Sequence, residues 1–125
     1  MAQNSFDSHP TFDESALEQL HELQVEGEPS FVGGLITDYL QQVVELNASI
    51  QKAASEADQL ALEKGAHKLK SSSAVLGLAK LAAICFAIED SARSKTATLD
   101  QAHALEVAVP EAVTSLNSYL VKIGC

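Results

Sequence analysis

Residues 59–76 read QLALEKGAHKLKSSSAVL, and residues 78–93, which follow Gly77, read LAKLAAICFAIEDSAR. In the first stretch, small or aliphatic residues recur at alternating spacings of four and three, at Leu62, Ala66, Leu69, Ser73 and Leu76. The second stretch has a similar pattern at Leu78, Leu81, Cys85, Ile88 and Ala92. Such spacing is typical of helices that pack along one face, and glycine commonly ends a helix. The two stretches therefore predict a helical hairpin that turns at Gly77.

Three further helices are predicted around this hairpin. A short one starts at Asp13 or Ser15, ends at residues 27–29, and carries Leu17, Leu20 and Leu23. A long one starts at Pro29 and has apolar positions at Phe31, Leu35, Tyr39, Val43, Leu46 and Ile50. The first hairpin helix begins after Ser55 or Asp58. The last helix runs from about Leu99 through Val109, Val113, Leu116 and Leu120, and Pro110 is expected to kink or split it.

These elements predict an all-α fold. Short connections favour antiparallel neighbours, so the predicted architecture is an antiparallel up-down four-helix bundle with a short additional N-terminal helix. Residues 1–11 are polar and show no periodicity, which predicts a flexible N-terminal tail, and residues 12–125 are predicted to form the bundle domain. No stretch shows the apolar and polar alternation of a strand.

The composition excludes several classes of partner. The chain has 125 residues, with 17 acidic and 8 basic side chains and a net charge of −9, which disfavours nucleic acid and anionic membranes.

The longest apolar run, residues 81–88, is far shorter than the roughly 20 residues that span a bilayer, and the N-terminus lacks a secretion signal. We expect a cytoplasmic monomer in which Cys85 and Cys125 are free thiols.

His67 is the candidate reactive residue. On a helix wheel it points about 140° away from the centre of the apolar face, and therefore into solvent. Lys64, Lys68 and Lys70 lie within three positions of it, and Lys70 and Ser71 share its side of the helix. A neutral imidazole can attack a phosphoryl group through one nitrogen, and a nearby ammonium and hydroxyl can contact the phosphoryl oxygens. The pattern favours phosphoryl transfer.

Glu89 is the candidate partner for the other ring nitrogen. His67 lies ten residues before Gly77 and Glu89 lies twelve after it, so the hairpin places them at nearly the same height. A carboxylate there can accept a hydrogen bond from the ring and fix its tautomer. The alternative is that Glu89 is a solvated surface residue.

Residues 66–78, AHKLKSSSAVLGL, carry a specific resemblance. A His followed by a Lys three positions later, small residues, and a Gly ten positions later resembles the signature of histidine-containing phosphotransfer (Hpt) domains. The resemblance implies a four-helix bundle in which His67 is phosphorylated, Lys70 lies beside the phosphate and Glu89 contacts the imidazole. It also implies that Lys64, Lys68, Ser71 and Ala74 face the phosphate or a docking protein. Many members have Gly where this chain has Ser71, which affects how closely a partner can approach.

The same resemblance implies a phosphocarrier rather than an enzyme. Its expected partners are the receiver domains of response regulators and a hybrid sensor histidine kinase. It implies no cofactor on this chain, with Mg²⁺ held by the partner receiver. The sequence agrees in that it has no glycine-rich phosphate loop or other nucleotide-binding motif.

Two alternatives remain open at this point. Glu18 and His21 have the Glu-x-x-His spacing of carboxylate-bridged di-iron bundles, although such sites need two of these motifs and further inward carboxylates. His9 is placed in the tail, and His21 and His103 are expected on the surface. The second alternative is a helical adaptor that binds partners without phosphochemistry.

Overall fold

A computed structural model describes residues 8–125, which form five helices. They are α1 (Glu14–His21), α2 (Phe31–Ser55), α3 (Gln59–Val75), α4 (Ala79–Arg93) and α5 (Leu99–Lys122). The part of the chain that is described contains no strand. Helices α2 to α5 pack with α3 against α4, α2 against α3 and α5, and α4 against α5, and α1 packs on α2. The predicted all-α bundle with a short additional N-terminal helix is confirmed.

Polar side chains fix where four of the helices begin. Asp13, Ser30, Asp58 and Thr98 each accept a hydrogen bond from a backbone N–H of the first turn of α1, α2, α3 and α5 respectively. Such caps satisfy amide groups that have no partner within the helix. Gly77, with φ of +79°, ends the turn between α3 and α4. A side chain is disfavoured in this left-handed conformation, which explains the glycine.

The core is mostly aliphatic, and most of the predicted apolar positions that are buried lie on the α3–α4 hairpin. Every predicted apolar position of α3 and α4 is buried. The early part of α2 differs from the prediction, since Val32 and Ile36 are fully buried whereas Phe31 is 40% exposed. Because residues 31–32 and 35–36 are all apolar, the sequence fits either of two helix faces. Packing buries the face that carries Val32 and Ile36.

The last helix is continuous, so of the predicted kink or split at Pro110 the split does not occur. Helix α5 runs through Pro110 without interruption. Pro110 itself is exposed, whereas Val109 and Ala112 on either side are buried. The packing of those neighbours offsets the loss of one backbone hydrogen bond.

The N-terminal segment is attached to the turn of the hairpin. The N–H of Asp13 donates to the carbonyl of Gly77 at 2.7 Å, and the N–H of Lys80 donates to the carbonyl of Pro10 at 2.9 Å. Of the predicted tail, residues 1–7 lie outside the described residues, and Pro10 contacts α4 in this way. Within residues 8–125, no helix is both long and apolar enough to cross a bilayer.

Candidate functional site

His67 lies midway along α3 with 62% of its side chain exposed. Its neighbours Ala66 and Leu69 are fully buried against the other helices. Because these two residues fix which face of α3 points inward, the ring of His67 points outward. The amphipathic pattern of one helix therefore presents the imidazole to solvent.

Glu89 on α4 is hydrogen-bonded to this imidazole. One carboxylate oxygen, Oε2, lies 2.8 Å from Nδ1 of His67, and the residue as a whole is only 4% exposed. An ionised carboxylate can only accept, so Nδ1 carries the hydrogen and donates it. In the neutral ring this leaves a lone pair on Nε2, the nitrogen that does not face Glu89.

Two cations complete the environment of the carboxylate. Lys70 donates from Nζ to Oε1 of Glu89 at 2.7 Å, and Arg93 donates from Nη2 to Oε2 at 2.9 Å. Arg93 also donates from Nε to Oε2 of Glu63 at 3.1 Å. The ammonium of Lys70 lies 5.4 Å from the centre of the Phe86 ring, within range of a cation–π contact.

These contacts keep Glu89 ionised. The hydrogen bond from Lys70 is the largest influence and lowers the pKa of Glu89; burial opposes it and the hydrogen bond from His67 supports it. The hydrogen bond to Glu63 raises the pKa of Arg93. Among the described residues, every buried side-chain nitrogen and oxygen has a hydrogen-bond partner. The site therefore combines a buried carboxylate, an oriented imidazole and two cations that are hydrogen-bonded to the carboxylate.

One shallow groove lies beside the imidazole and another lies beside Lys70. One, beside the ring, is lined by Leu60, Lys64 and Arg93 together with His67 and Glu89. The other, beside Lys70, is lined by small or aromatic side chains, among them Ala74, Ala82, Ala83 and Phe86. The exposed imidazole therefore lies at the edge of a groove that a protein surface can approach.

A protein-family model described as the Hpt domain matches residues 34–119 of this chain. The chain belongs to the Hpt domain family. The matched range begins in α2 and ends in α5, so it contains the complete α3–α4 hairpin and all the site residues named above.

Two known proteins that are similar to this Hpt domain are informative. Over 78 residues, 62% of the chain, it is 36% identical to "Multistep phosphorelay regulator 1" of Schizosaccharomyces pombe. The chain spans about a quarter of that relative's length, since the match covers 26% of it. The crystal structure of histidine-containing phosphotransfer protein B (HptB) from Pseudomonas aeruginosa PAO1 superposes with a TM-score of 0.80 at 22% identity. That match covers 90% of this chain and 96% of the other, and it shows that the fold is shared.

The Hpt domain brings together the three residues that the sequence singled out as chemically central. His67, Lys70 and Glu89 form one cluster of hydrogen bonds. The alternative of a solvated Glu89 is wrong, because the closed hairpin covers its carboxylate. Lys70 is half-buried, with its ammonium directed at Glu89.

The four residues expected to face the phosphate or a partner are all exposed on α3. They are Lys64, Lys68, Ser71 and Ala74. The hydroxyl of Ser71 donates to the carbonyl of His67 at 3.3 Å, so it lies on the His67 side of the helix. Of the four, Lys64 lines the groove beside the imidazole and Ala74 lines the groove beside Lys70.

Sequence reasoning missed Arg93 and Glu63. Arg93 follows Glu89 by four positions on α4, a spacing at which opposite charges pair on a helix, so the signal was present. Glu63 precedes His67 by four positions on α3 and meets Arg93 across the hairpin. Predicting that contact requires the relative position of α3 and α4.

The other histidines are not part of this hydrogen-bonded cluster, although His9 lines the groove beside Lys70. His21 was expected on the surface, but it is half-buried and its Nε2 lies 2.9 Å from the hydroxyl of Tyr119. His9 and His103 are exposed. Within the described range, no group of three or more His, Cys, Asp or Glu side chains is placed to hold a metal ion. The Glu18 and His21 pair therefore gains no further ligands there.

Proposed function

We propose that this Hpt domain is a phosphocarrier that accepts a phosphoryl group on Nε2 of His67 and relays it. The donor is the phosphoaspartate of one receiver domain, and the acceptor is the aspartate of another response regulator. The observation that carries the proposal is an exposed imidazole whose Nδ1 is hydrogen-bonded to a buried carboxylate. Membership of the family and the name of the fungal relative support it.

The chemistry follows from the ring nitrogens. The Nε2 lone pair attacks the phosphorus of the aspartyl phosphate, a P–N bond forms, and the bond from phosphorus to the aspartate oxygen breaks. The aspartate leaves as a carboxylate. No proton has to leave Nε2, because the ring hydrogen is on Nδ1, and the positive charge that the ring gains faces Glu89.

Lys70 supplies charge to the transferred group. Its ammonium lies one helical turn from His67 on the same side of α3, and 29% of the side chain is already exposed. Rotation about its flexible side chain can bring the ammonium to the phosphoryl oxygens, whose negative charge dominates the barrier. We place the Mg²⁺ ion that shares this task on the receiver domain and assign no cofactor to this chain.

The partners follow from the same proposal. A hybrid sensor histidine kinase is the source of the phosphoryl group, and a monomeric carrier in the cytoplasm receives and returns it through receiver domains. The exposed basic residues Lys64 and Lys68 beside His67 suit an acidic docking surface, in a chain whose net charge is −9.

The experiment uses phosphoramidate as a direct donor and, separately, receiver domains charged with radiolabelled acetyl phosphate. We expect one label that is labile in acid and stable in alkali, as phosphohistidine is. The label should be absent from His67→Gln and unchanged in His103→Gln, which alters an exposed histidine of α5. Equal labelling of His67→Gln and the wild type would refute the assignment, and absence of any label would favour the adaptor.

A further inference from the structure

Arg93 and Glu63 are the only members of the hydrogen-bonded cluster, as far as the described residues show, to which the transfer chemistry gives no task. Arg93 bonds to two carboxylates at once, through Nη2 to Glu89 and through Nε to Glu63. Its side chain is 57% exposed, so it fills no space in the core. An exposed ion pair alone adds little to the free energy of unfolding, so stability does not explain why Arg93 makes these contacts.

Phosphorylation changes the partners of Glu89. In the structure, Lys70 holds Oε1 of Glu89 at 2.7 Å. If the same ammonium moves to the phosphoryl oxygens, as the proposed function requires, the buried carboxylate loses that hydrogen bond. A carboxylate with fewer partners is free to rotate toward water, and the hydrogen bond that fixes the tautomer of His67 would then be lost.

Arg93 is placed to prevent this rotation. Its Nη2 contacts Oε2, the same oxygen that accepts from Nδ1 of His67. Arg93 lies one turn after Glu89 on α4, and Glu63, one turn before His67 on α3, holds the other edge of its guanidinium. The planar guanidinium can donate in two directions at once, which a lysine cannot do with the same geometry.

We propose that Arg93 is a positioning residue that keeps Glu89 against Nδ1 of His67 when Lys70 leaves the carboxylate for the phosphoryl group. Glu63 orients Arg93 for this task. The inference rests on the proposed function for its purpose, but the hydrogen bonds on which it depends are present in the resting protein. The effect of Arg93 should therefore be small while Lys70 is in place and large once it is absent.

The test measures the tautomer of His67 by ¹⁵N NMR, in full-length protein at a pH where the ring is neutral. An unconstrained histidine favours the tautomer with hydrogen on Nε2, whereas Glu89 enforces hydrogen on Nδ1. We expect the Nδ1–H form to dominate in the wild type, in Arg93→Gln and in Lys70→Ala. In the double variant the ratio of Nδ1–H to Nε2–H should fall about tenfold, the factor that corresponds to one lost hydrogen bond to a charged group.

Matched variants separate positioning from general charge. In the Lys70→Ala background, Arg93→Lys should restore only part of the ratio, because an ammonium can reach Oε2 of Glu89 but cannot also donate to Glu63 with the same geometry. Lys52→Gln, which removes an exposed cation of α2 outside the hydrogen-bonded cluster, should leave it unchanged. The inference is overturned if the Arg93→Gln double variant keeps the ratio of Lys70→Ala, or if Lys52→Gln lowers the ratio equally.

A failure of the proposed function would have a different signature. In that case, phosphoramidate and charged receivers would leave His67 unlabelled, while the tautomer ratios, which need no phosphate, would still follow the pattern above. If the function holds, phosphohistidine should also hydrolyse faster in Arg93→Gln than in Lys52→Gln. Equal lifetimes in these two variants would count against the positioning role.

Discussion

Replacement of Glu89 by Gln changes the charge of the site and keeps its shape. In the structure Oε2 serves two donors, Nδ1 of His67 and Nη2 of Arg93, while Oε1 accepts from Nζ of Lys70. An amide has one acceptor oxygen and one NH₂ group. It satisfies two of these donors by placing its oxygen at the Oε2 position and its NH₂ toward Lys70. We therefore expect the variant to displace Lys70 and to give Nδ1 a neutral acceptor.

The size of the effect follows from the lost charge. A hydrogen bond to a charged group contributes about 1.5–3 kcal/mol net, and one between neutral groups about 0.5–1.5 kcal/mol. The contact to His67 therefore weakens by roughly 1–1.5 kcal/mol in the transition state, where the ring gains positive charge, and the rate falls about tenfold. The displaced ammonium of Lys70 can reach water, so we expect little change in the free energy of unfolding.

The assay follows phosphorylation of the protein by phosphoramidate with ³¹P NMR, alongside thermal unfolding. Glu106→Gln, which neutralises an exposed carboxylate of α5, is the control for net charge. An unchanged rate in Glu89→Gln would refute the reasoning, because the charge of the carboxylate would then have no part in the reaction. A large loss of stability would show instead that the cluster supports the fold.

Three further predictions concern the turn, the core and the cation. Gly77→Ala should lower the free energy of unfolding by roughly 2–4 kcal/mol, because alanine is strained in the left-handed conformation and its Cβ would overlap the carbonyl oxygen of Asp13. Gly27→Ala has a similar φ and open space, so it should cost less in the same denaturant titration. Burial raises the pKa of the Cys85 thiol to about 12. The buried neutral thiol therefore makes its full contribution to the free energy of unfolding below pH 9.0, the ordinary pKa, and this contribution is lost as the pH rises through 12. Alkaline unfolding monitored by circular dichroism should begin at higher pH in Cys85→Ala, and an unshifted midpoint would contradict this. Lys70→Ala should slow phosphorylation without loss of helicity, since its side chain fills no core space, and a collapsed far-ultraviolet spectrum would show otherwise.

The hairpin was predictable because its signals are local. Asp58 caps α3, Gly77 ends it, and the apolar spacing of Leu62 and Leu69 has one consistent face. Counting residues from the turn then placed Glu89 level with His67, and their 2.8 Å contact agrees. Spacing and helix geometry carry this information without knowledge of the other helices.

What the sequence left open depends on contacts between distant segments. Val32 and Phe31 are both apolar, and only packing against the other helices decides which is buried. His21 meets Tyr119 across 98 positions, a distance that no local pattern spans. The pairing of Arg93 with Glu89 follows from local spacing, whereas its contact with Glu63 depends on how α3 and α4 pack.

The hydrogen-bonded cluster lies entirely between residues 63 and 93, on two helices joined by one tight turn. Its contacts join residues at most 30 positions apart, so closing the loop between them costs little entropy and the cluster can assemble when the hairpin forms. As far as residues 8–125 show, helices α1, α2 and α5 contribute no residue to this cluster. In such an arrangement the proposed reaction depends on one hairpin, and substitutions on the other three helices can alter the choice of partner without changing the reactive side chains.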